Sequence, residues 1–258
     1  MDEQQTRRLR SFAEAARHGL RGLDASAWRD RTERHYRRLE AAFDWLLEGA
    51  QAADALALAC TLAEFHRISG RVATGRAWLD RALAAVQIDD RLQAAALYEN
   101  GMLAFWQGDN EEACSLHGRS LQLARRLDDA TAVALALCGL ARVALREDLD
   151  WARTLCQEAL QTVHNTGDRL GRSNALHVLG VAAQMRGDLG QARELMTRRI
   201  QAARALGDHA AVAAALDPEP LARAWSAGRQ MSQADAVRYA LDPQLNLAPP
   251  VEASLVAG

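Results

Sequence analysis

The stretch LYENGMLAFWQGDNEEACSLHGRSLQLARRLDD, residues 97–129, decides the fold. Gly101 leads into a Gly108-Asp109 turn, Ala113 follows Gly101 at i+12, and the pair Ser120-Leu121 comes one heptad later. Glycine tolerates the left-handed backbone that ends a helix, and aspartate accepts a hydrogen bond from an exposed amide at the start of the next. The stretch therefore predicts two antiparallel helices closed by Asp128-Asp129.

The pattern recurs on both sides. Ala63, Gly70, Gly75 and Ala82-Leu83 form the preceding unit; Ala141, Glu147-Asp148, Ala152 and Ala159-Leu160 form the next. A fourth comprises Gly180, Gly187-Asp188, Ala192 and Arg199-Ile200, where a long arginine replaces the expected small residue. The early second-helix positions 75, 113, 152 and 192 advance in steps of 38, 39 and 40. In the third unit the gap from first to second small residue is 11 rather than 12, which implies a one-residue deletion in its turn. Closing turns repeat as well, at Asp89-Asp90, Asp128-Asp129, Gly167-Asp168 and Gly207-Asp208. Small residues at fixed spacing let helix axes approach, and stacked units bury a face that one unit cannot bury alone. The sequence thus predicts an all-α, right-handed solenoid of about four helix pairs with flanking helices.

Composition agrees with this reading. The chain has 258 residues, 49% of them hydrophobic, and all five prolines fall after residue 217. Alanine makes up about a fifth of the chain, and a long, proline-free, alanine-rich stretch favours helix throughout. There is no lysine, so Schiff-base chemistry, a lysine general base and a Walker-type phosphate loop are excluded. A formal net charge of -2 gives no global attraction to nucleic acid or to an anionic membrane. Cys60, Cys114, Cys138 and Cys156 show no CxxC spacing and read as small buried hydrophobes in a reducing cytosol. The N-terminus lacks an apolar signal-peptide core, so a cytoplasmic location is expected.

These spacings resemble the tetratricopeptide repeat. The unit length, with closing turns such as RALGD (204–208) and TVHNTGD (162–168), resembles the repeats of the large ATP-binding LuxR-type transcription regulators, the MalT-like class. The segment from Trp28 through Trp45, within WRDRTERHYRRLEAAFDWLLEG (28–49), is similar to the helical part that joins their NTPase to their repeats. LARAWSAGRQMSQADAVRYAL (221–241) is similar to the segment that precedes their helix-turn-helix. The resemblance implies a free-standing, bacterial, sensor-like repeat domain that serves transcription or a biosynthetic pathway indirectly. ATPase activity and promoter binding are not implied, because the chain has room for neither of those domains, and GDHAAVAAAL runs directly into DPEPLARAW as though a final helix pair were deleted.

The expected organisation is an N-terminal helical segment (1–50), tetratricopeptide-like repeats (51–216), capping helices (217–244) and a tail (245–258). Helices are expected over 3–19 and 26–48, the second capped by Ser26. Pro220 suits the first turn of a short helix, and Ser232 to Asp235 approximates a capping box.

The first helices should line a concave face, where residues at i, i+4 and i+7 share one side. That places Cys60, Glu64 and Arg67 together in unit one, Tyr98, Met102 and Phe105 with Trp106 in unit two, Cys138 and Arg142 in unit three, and Asn174, His177 and Gln184 in unit four. An aromatic and methionine patch flanked by arginines and a histidine suits an amphipathic helix, a peptide carboxylate or a mostly apolar small molecule with an acidic group. The competing role for Tyr98, Phe105 and Trp106 is packing between helices. Seven histidines include no pair three or four residues apart, and no acid-base dyad is visible, so neither a metal, a cofactor nor a catalytic residue is expected. Cys138, one turn before Arg142, is the only suggestive cysteine nucleophile.

Two functions follow. The first is a non-catalytic recognition module that binds a protein segment or small-molecule effector at Glu64, Arg67, Tyr98, Met102, Phe105, Trp106, Arg142 and His177. The second is an enzyme or a sequestering, resistance-type protein using the same groove. No specific nucleic acid or membrane partner is expected, and a homo-oligomer is compatible with the sequence.

Overall fold

The structure, a computed structural model, describes residues 1–86, 90–164, 166–208 and 212. Among the described residues ten helices follow in chain order: α1 (Glu3–Gly19), α2 (Ala25–Glu48), α3 (Ala52–Ile68), α4 (Val72–Ala85), α5 (Arg91–Gln107), α6 (Asn110–Arg126), α7 (Ala130–Ala144), α8 (Leu149–Thr162), α9 (Arg169–Met185) and α10 (Leu189–Arg204). No strand occurs among the described residues. The capping helices, the tail, Pro220 and the Ser232 to Asp235 box lie outside the described residues, as does Asp89.

The turns explain the boundaries. Gly70, Gly108 and Gly187 take left-handed backbone with φ of 74°, 83° and 81°. In each of these turns an amide reaches back five residues, as from Asp109 N to the Ala104 carbonyl at 3.0 Å and from Asp188 N to Ala183 at 3.0 Å. The α7–α8 turn has no glycine, and the Asp148 amide reaches back only four residues, to Ala144 at 2.8 Å. The predicted one-residue deletion is this shortened wrap. Aspartate then starts the next helix: Asp90, Asp109, Asp129, Asp148, Asp168 and Asp188 each accept hydrogen bonds from first-turn amides. Ser26 does not cap α2, which begins one residue earlier at Ala25 behind Asp24. Trp28, in the first turn of α2, lies against Gly19 so closely that a Cβ there would stand 2.2 Å from its ring.

First helices touch along the stack, α1 with α3, α3 with α5, α5 with α7 and α7 with α9, whereas consecutive second helices make no comparable contact. A double layer that is tight on one side and splayed on the other curves toward the tight side, so α1, α3, α5, α7 and α9 form the concave layer. The result is the tetratricopeptide-like α-solenoid that the period predicts, and α1 and α2 stack on it as a further pair. Trp78 of α4 holds that pair in place by stacking on Phe43 at 4.3 Å and meeting His66 edge-on at 5.1 Å.

The recurrent small residues sit where a neighbour's side chain fills the missing volume. A Cβ on Gly75 would lie 2.8 Å from His66 and 2.9 Å from Leu103. On Gly101 and Gly139 it would lie 2.7 and 2.6 Å from the imidazole of His117, which α6 inserts between α5 and α7. In the fourth unit Met196 stands to Gly180 as His117 stands to Gly101, and its methyl would meet a Cβ there at 2.6 Å. Because an imidazole ring cannot fold aside as a thioether can, Gly101→Ala should destabilise by about 1 to 3 kcal/mol through overpacking. The same change at Gly118, a helical glycine with open space around it, should be neutral or stabilise by up to about 1 kcal/mol. Urea unfolding of both variants tests this, and Gly180→Leu should cost less than Gly101→Leu.

Candidate groove on the inner helices

Polar and aromatic side chains follow one another along the inner helices. Arg21, just past α1, donates from Nε to Glu64 on α3 at 2.8 Å, and Glu64 also pairs with Arg67 at 3.4 Å. The Arg67 guanidinium lies over the Trp106 ring of α5, 5.3 Å from its centre. Tyr98 of α5 is within electrostatic reach of Arg142 on α7. Arg142 donates in turn to Asn174 Oδ1 of α9 at 2.7 Å, and to the Cys138 carbonyl at 3.3 Å. A row of polar and aromatic groups thus crosses the concave face from α1 to α9.

The sequence-predicted residues divide along this row. Glu64 and Arg67 join the ion cluster at the α1 end. Tyr98 points inward, its ring 5.5 Å from that of His117. Phe105 and Trp106 stand at the end of α5, in edge contact at 6.2 Å, with the Arg146 guanidinium 5.9 Å from Phe105. Phe105 packs partly on the core of α5 and α6, while Trp106 is 55% exposed. Met102, between Tyr98 and Phe105 in sequence, is half-buried. His177 lies within electrostatic reach of Arg142 and of Arg199 on α10. Cys138 is fully buried in the same apolar cluster as Cys156, so it lacks the partial exposure a nucleophile needs.

Four participants are not singled out by the sequence reading of the groove. Arg21 follows a helix end, and Glu99 lies one residue off the i, i+4, i+7 stripe. His117 and Arg199 belong to second helices, yet His117 sits between the inner helices α5 and α7, and Arg199 lies within reach of Arg142. The signal for Arg199 is its replacement of a small residue; the signal for His117 is the pair of glycines, Gly101 and Gly139, that flank its ring.

Burial governs the electrostatics. Glu99 is pushed up to about 7 by burial, with Glu64 adding to the rise and Arg17, Arg21 and Arg67 opposing it. Tyr98 rises to about 12, again through burial, against the pull of Arg142. Burial lowers His66 to about 4, with Arg71 assisting, and His117 to about 3, with Arg142 assisting. His177 falls to about 3 through burial, Arg199 and Arg142. The His66 ring receives or donates a hydrogen bond at Tyr36 Oη, 3.0 Å away.

A separate cavity of about 320 Å³ opens between α1 and α3, lined by Arg7, Arg10, Ser11, Glu14, Ala57, Leu58 and Thr61. It includes none of the eight predicted groove residues. Among the described residues no helix is long and apolar enough to cross a membrane.

Residues 92–150 match the tetratricopeptide repeat family. Among solved structures, a kinesin light chain-type protein of Podosopora anserina with nearly identical TPR-like repeats is similar at 18% identity and a TM-score of 0.55, covering 79% of this chain and 97% of that one. A second structure of that repeat protein matches at 18% identity and a TM-score of 0.53, covering 79% and 99%. BtubC (BKLC) from P. vanneervenii matches at 17% identity and a TM-score of 0.54, covering 86% of this chain and 98% of that one. At these identities the likeness establishes the repeat fold. No curated protein matches the chain in sequence.

Two opposing pH effects follow from the burial. His66 and His117 have folded values below the unfolded 6.5, so their contribution is fully present above pH 6.5 and is lost as pH falls toward 4 and 3. Each can contribute a slope of up to about 1.4 kcal/mol per pH unit in that window. Glu99 acts in the other direction, its contribution being lost as pH rises from 4.5 through 7. Urea unfolding at pH 5, 6, 7 and 8 should give stability that drops below pH 6.5, and Glu99→Gln, by removing the opposing Glu99 slope, should make that drop steeper.

Proposed function

We propose that the concave face is a recognition surface that binds a segment of a partner protein, with no chemistry performed on it. The polar and aromatic groups from Arg21 to Asn174 carry this reading: one cluster joins Arg21, Glu64, Arg67 and Trp106, a second joins Arg142 and Asn174, and Tyr98 stands within electrostatic reach of Arg142 between them, an arrangement along one face that suits an extended or helical segment. Trp106, half-exposed and backed by Arg67, is the natural anchor, because aromatic and arginine side chains dominate interface energetics. Tetratricopeptide repeats are general mediators of protein association, which supports a protein partner. The similarity of residues 28–45 and 221–241 to the LuxR-type regulators supports a regulatory role, as the sensing part of a transcriptional or biosynthetic control. The cavity between α1 and α3 favours a second reading, a small-molecule effector or sequestered compound, since its volume falls in the range for such ligands.

Selection of a displayed random peptide library on the full chain tests the first reading. Peptides so selected should lose affinity by about 1 to 3 kcal/mol on Trp106→Ala or Arg142→Ala. They should be indifferent to Arg119→Ala on the exposed side of α6. Trp106→Ala should leave stability within about 1 kcal/mol, since most of its ring is already in water. Peptides sensitive to Arg119 and not to Trp106 or Arg142 would contradict the assignment.

A further inference from the structure

We propose that Arg142, His177 and Arg199 form a binding site for an oxyanion group, a carboxylate or a phosphoryl, at the α7–α9 end of the concave face. The proposal rests on that face being the binding surface and names the chemistry held at one end of it.

Arg199 stands where the other units hold Ala82, Ser120 and Ala159, and in unit two the equivalent Ser120 donates to the Ala94 carbonyl of the paired first helix at 2.8 Å. The arginine therefore enters the same tight interface between α9 and α10, and it is only 7% exposed. Its Nε and Nη1 make no hydrogen bond, and neither does the buried Nδ1 of His177. Arg142 supplies a second guanidinium, fixed by Asn174 and the Cys138 carbonyl. Beyond it the ring of His117, fully buried between Gly101 and Gly139, has both nitrogens without a partner.

The charge balance points the same way. Arg142 and Arg199 repel each other, and among the described residues neither forms a salt bridge; the Asp208 carboxylate is within electrostatic reach of Arg199. Burial and Arg142 together hold the Arg199 guanidinium at about 10, well under its ordinary value. Buried cations with unpaired N–H groups are unfavourable unless an anion completes them. Guanidinium forks and a neutral imidazole N–H are complementary to carboxylate and phosphate oxygens, through charge-assisted hydrogen bonds.

Titration of the full chain with inorganic phosphate, with succinate and with sodium chloride at matched ionic strength tests the site, read by melting temperature and calorimetry. Phosphate, succinate or both should raise the melting temperature beyond the chloride control. A response to succinate alone identifies a carboxylate ligand, and a response to phosphate alone a phosphoryl one. Arg199→Ala restores the small residue of the other units, so the anion-free variant should melt at or above the wild-type temperature while binding the anion roughly tenfold more weakly or worse. A merely structural arginine would give the opposite, a lower melting temperature with the anion response intact, and that result overturns the proposal. So does a wild-type response no larger than that to chloride; if selected peptides still depend on Trp106, the groove reading survives that failure.

Discussion

The close approach of inner helices over a second-layer side chain is the constraint from which the rest of the molecule follows. His117 fills the space left by two missing Cβ atoms, on Gly101 of α5 and Gly139 of α7, and so ties one second helix to two consecutive first helices. The inner layer is tight because such side chains need small neighbours, and the outer layer splays because nothing equivalent joins second helix to second helix. Curvature, and with it a concave face, is the geometric consequence.

That constraint also determines what kind of chemistry the groove contains. Side chains of the inner helices reach neighbours on the adjacent inner helix, which is why contacts join Arg21, Glu64, Arg67 and Trp106 at one end of that face and Arg142 with Asn174 at the other. The same proximity desolvates the titratable groups on that face, raising Glu99 and lowering His177. His117 and His177, both lowered to about 3, are neutral throughout the physiological range, so they serve as hydrogen-bonding groups and the arginines supply the charge.

Helix positions were largely legible in the sequence because the turn chemistry is local. A left-handed glycine ends a helix and an aspartate starts the next, and the recurrence of such aspartates identified the repeat boundaries, including the shorter, glycine-free turn at Glu147-Asp148. Ser26 does not act as the cap because α2 already begins at Ala25, and the packing of Trp28 on Gly19 beside that start is a contact that no short-range pattern encodes. The inner stripe was legible through helical spacing in Glu64, Arg67, Tyr98 and Arg142. Spacing cannot separate Trp106 at the exposed helix end from Tyr98 beside a buried imidazole, nor bring His117 and Arg199 to the groove from the second layer. Those placements depend on how helices cross, and the sequence marks them only as irregularities: two glycines around one histidine, and an arginine where alanine is usual.

The histidine side-chain nitrogens, followed by long-range proton–nitrogen NMR from pH 8 to pH 3, report most directly on this architecture. The account predicts that His117 remains neutral to about pH 3, its nitrogen shifts unchanged through the interval where exposed histidines titrate. A His117 ring that protonates near its ordinary value of 6.5 would contradict the account, because a solvated imidazole cannot be the wedge between Gly101 and Gly139.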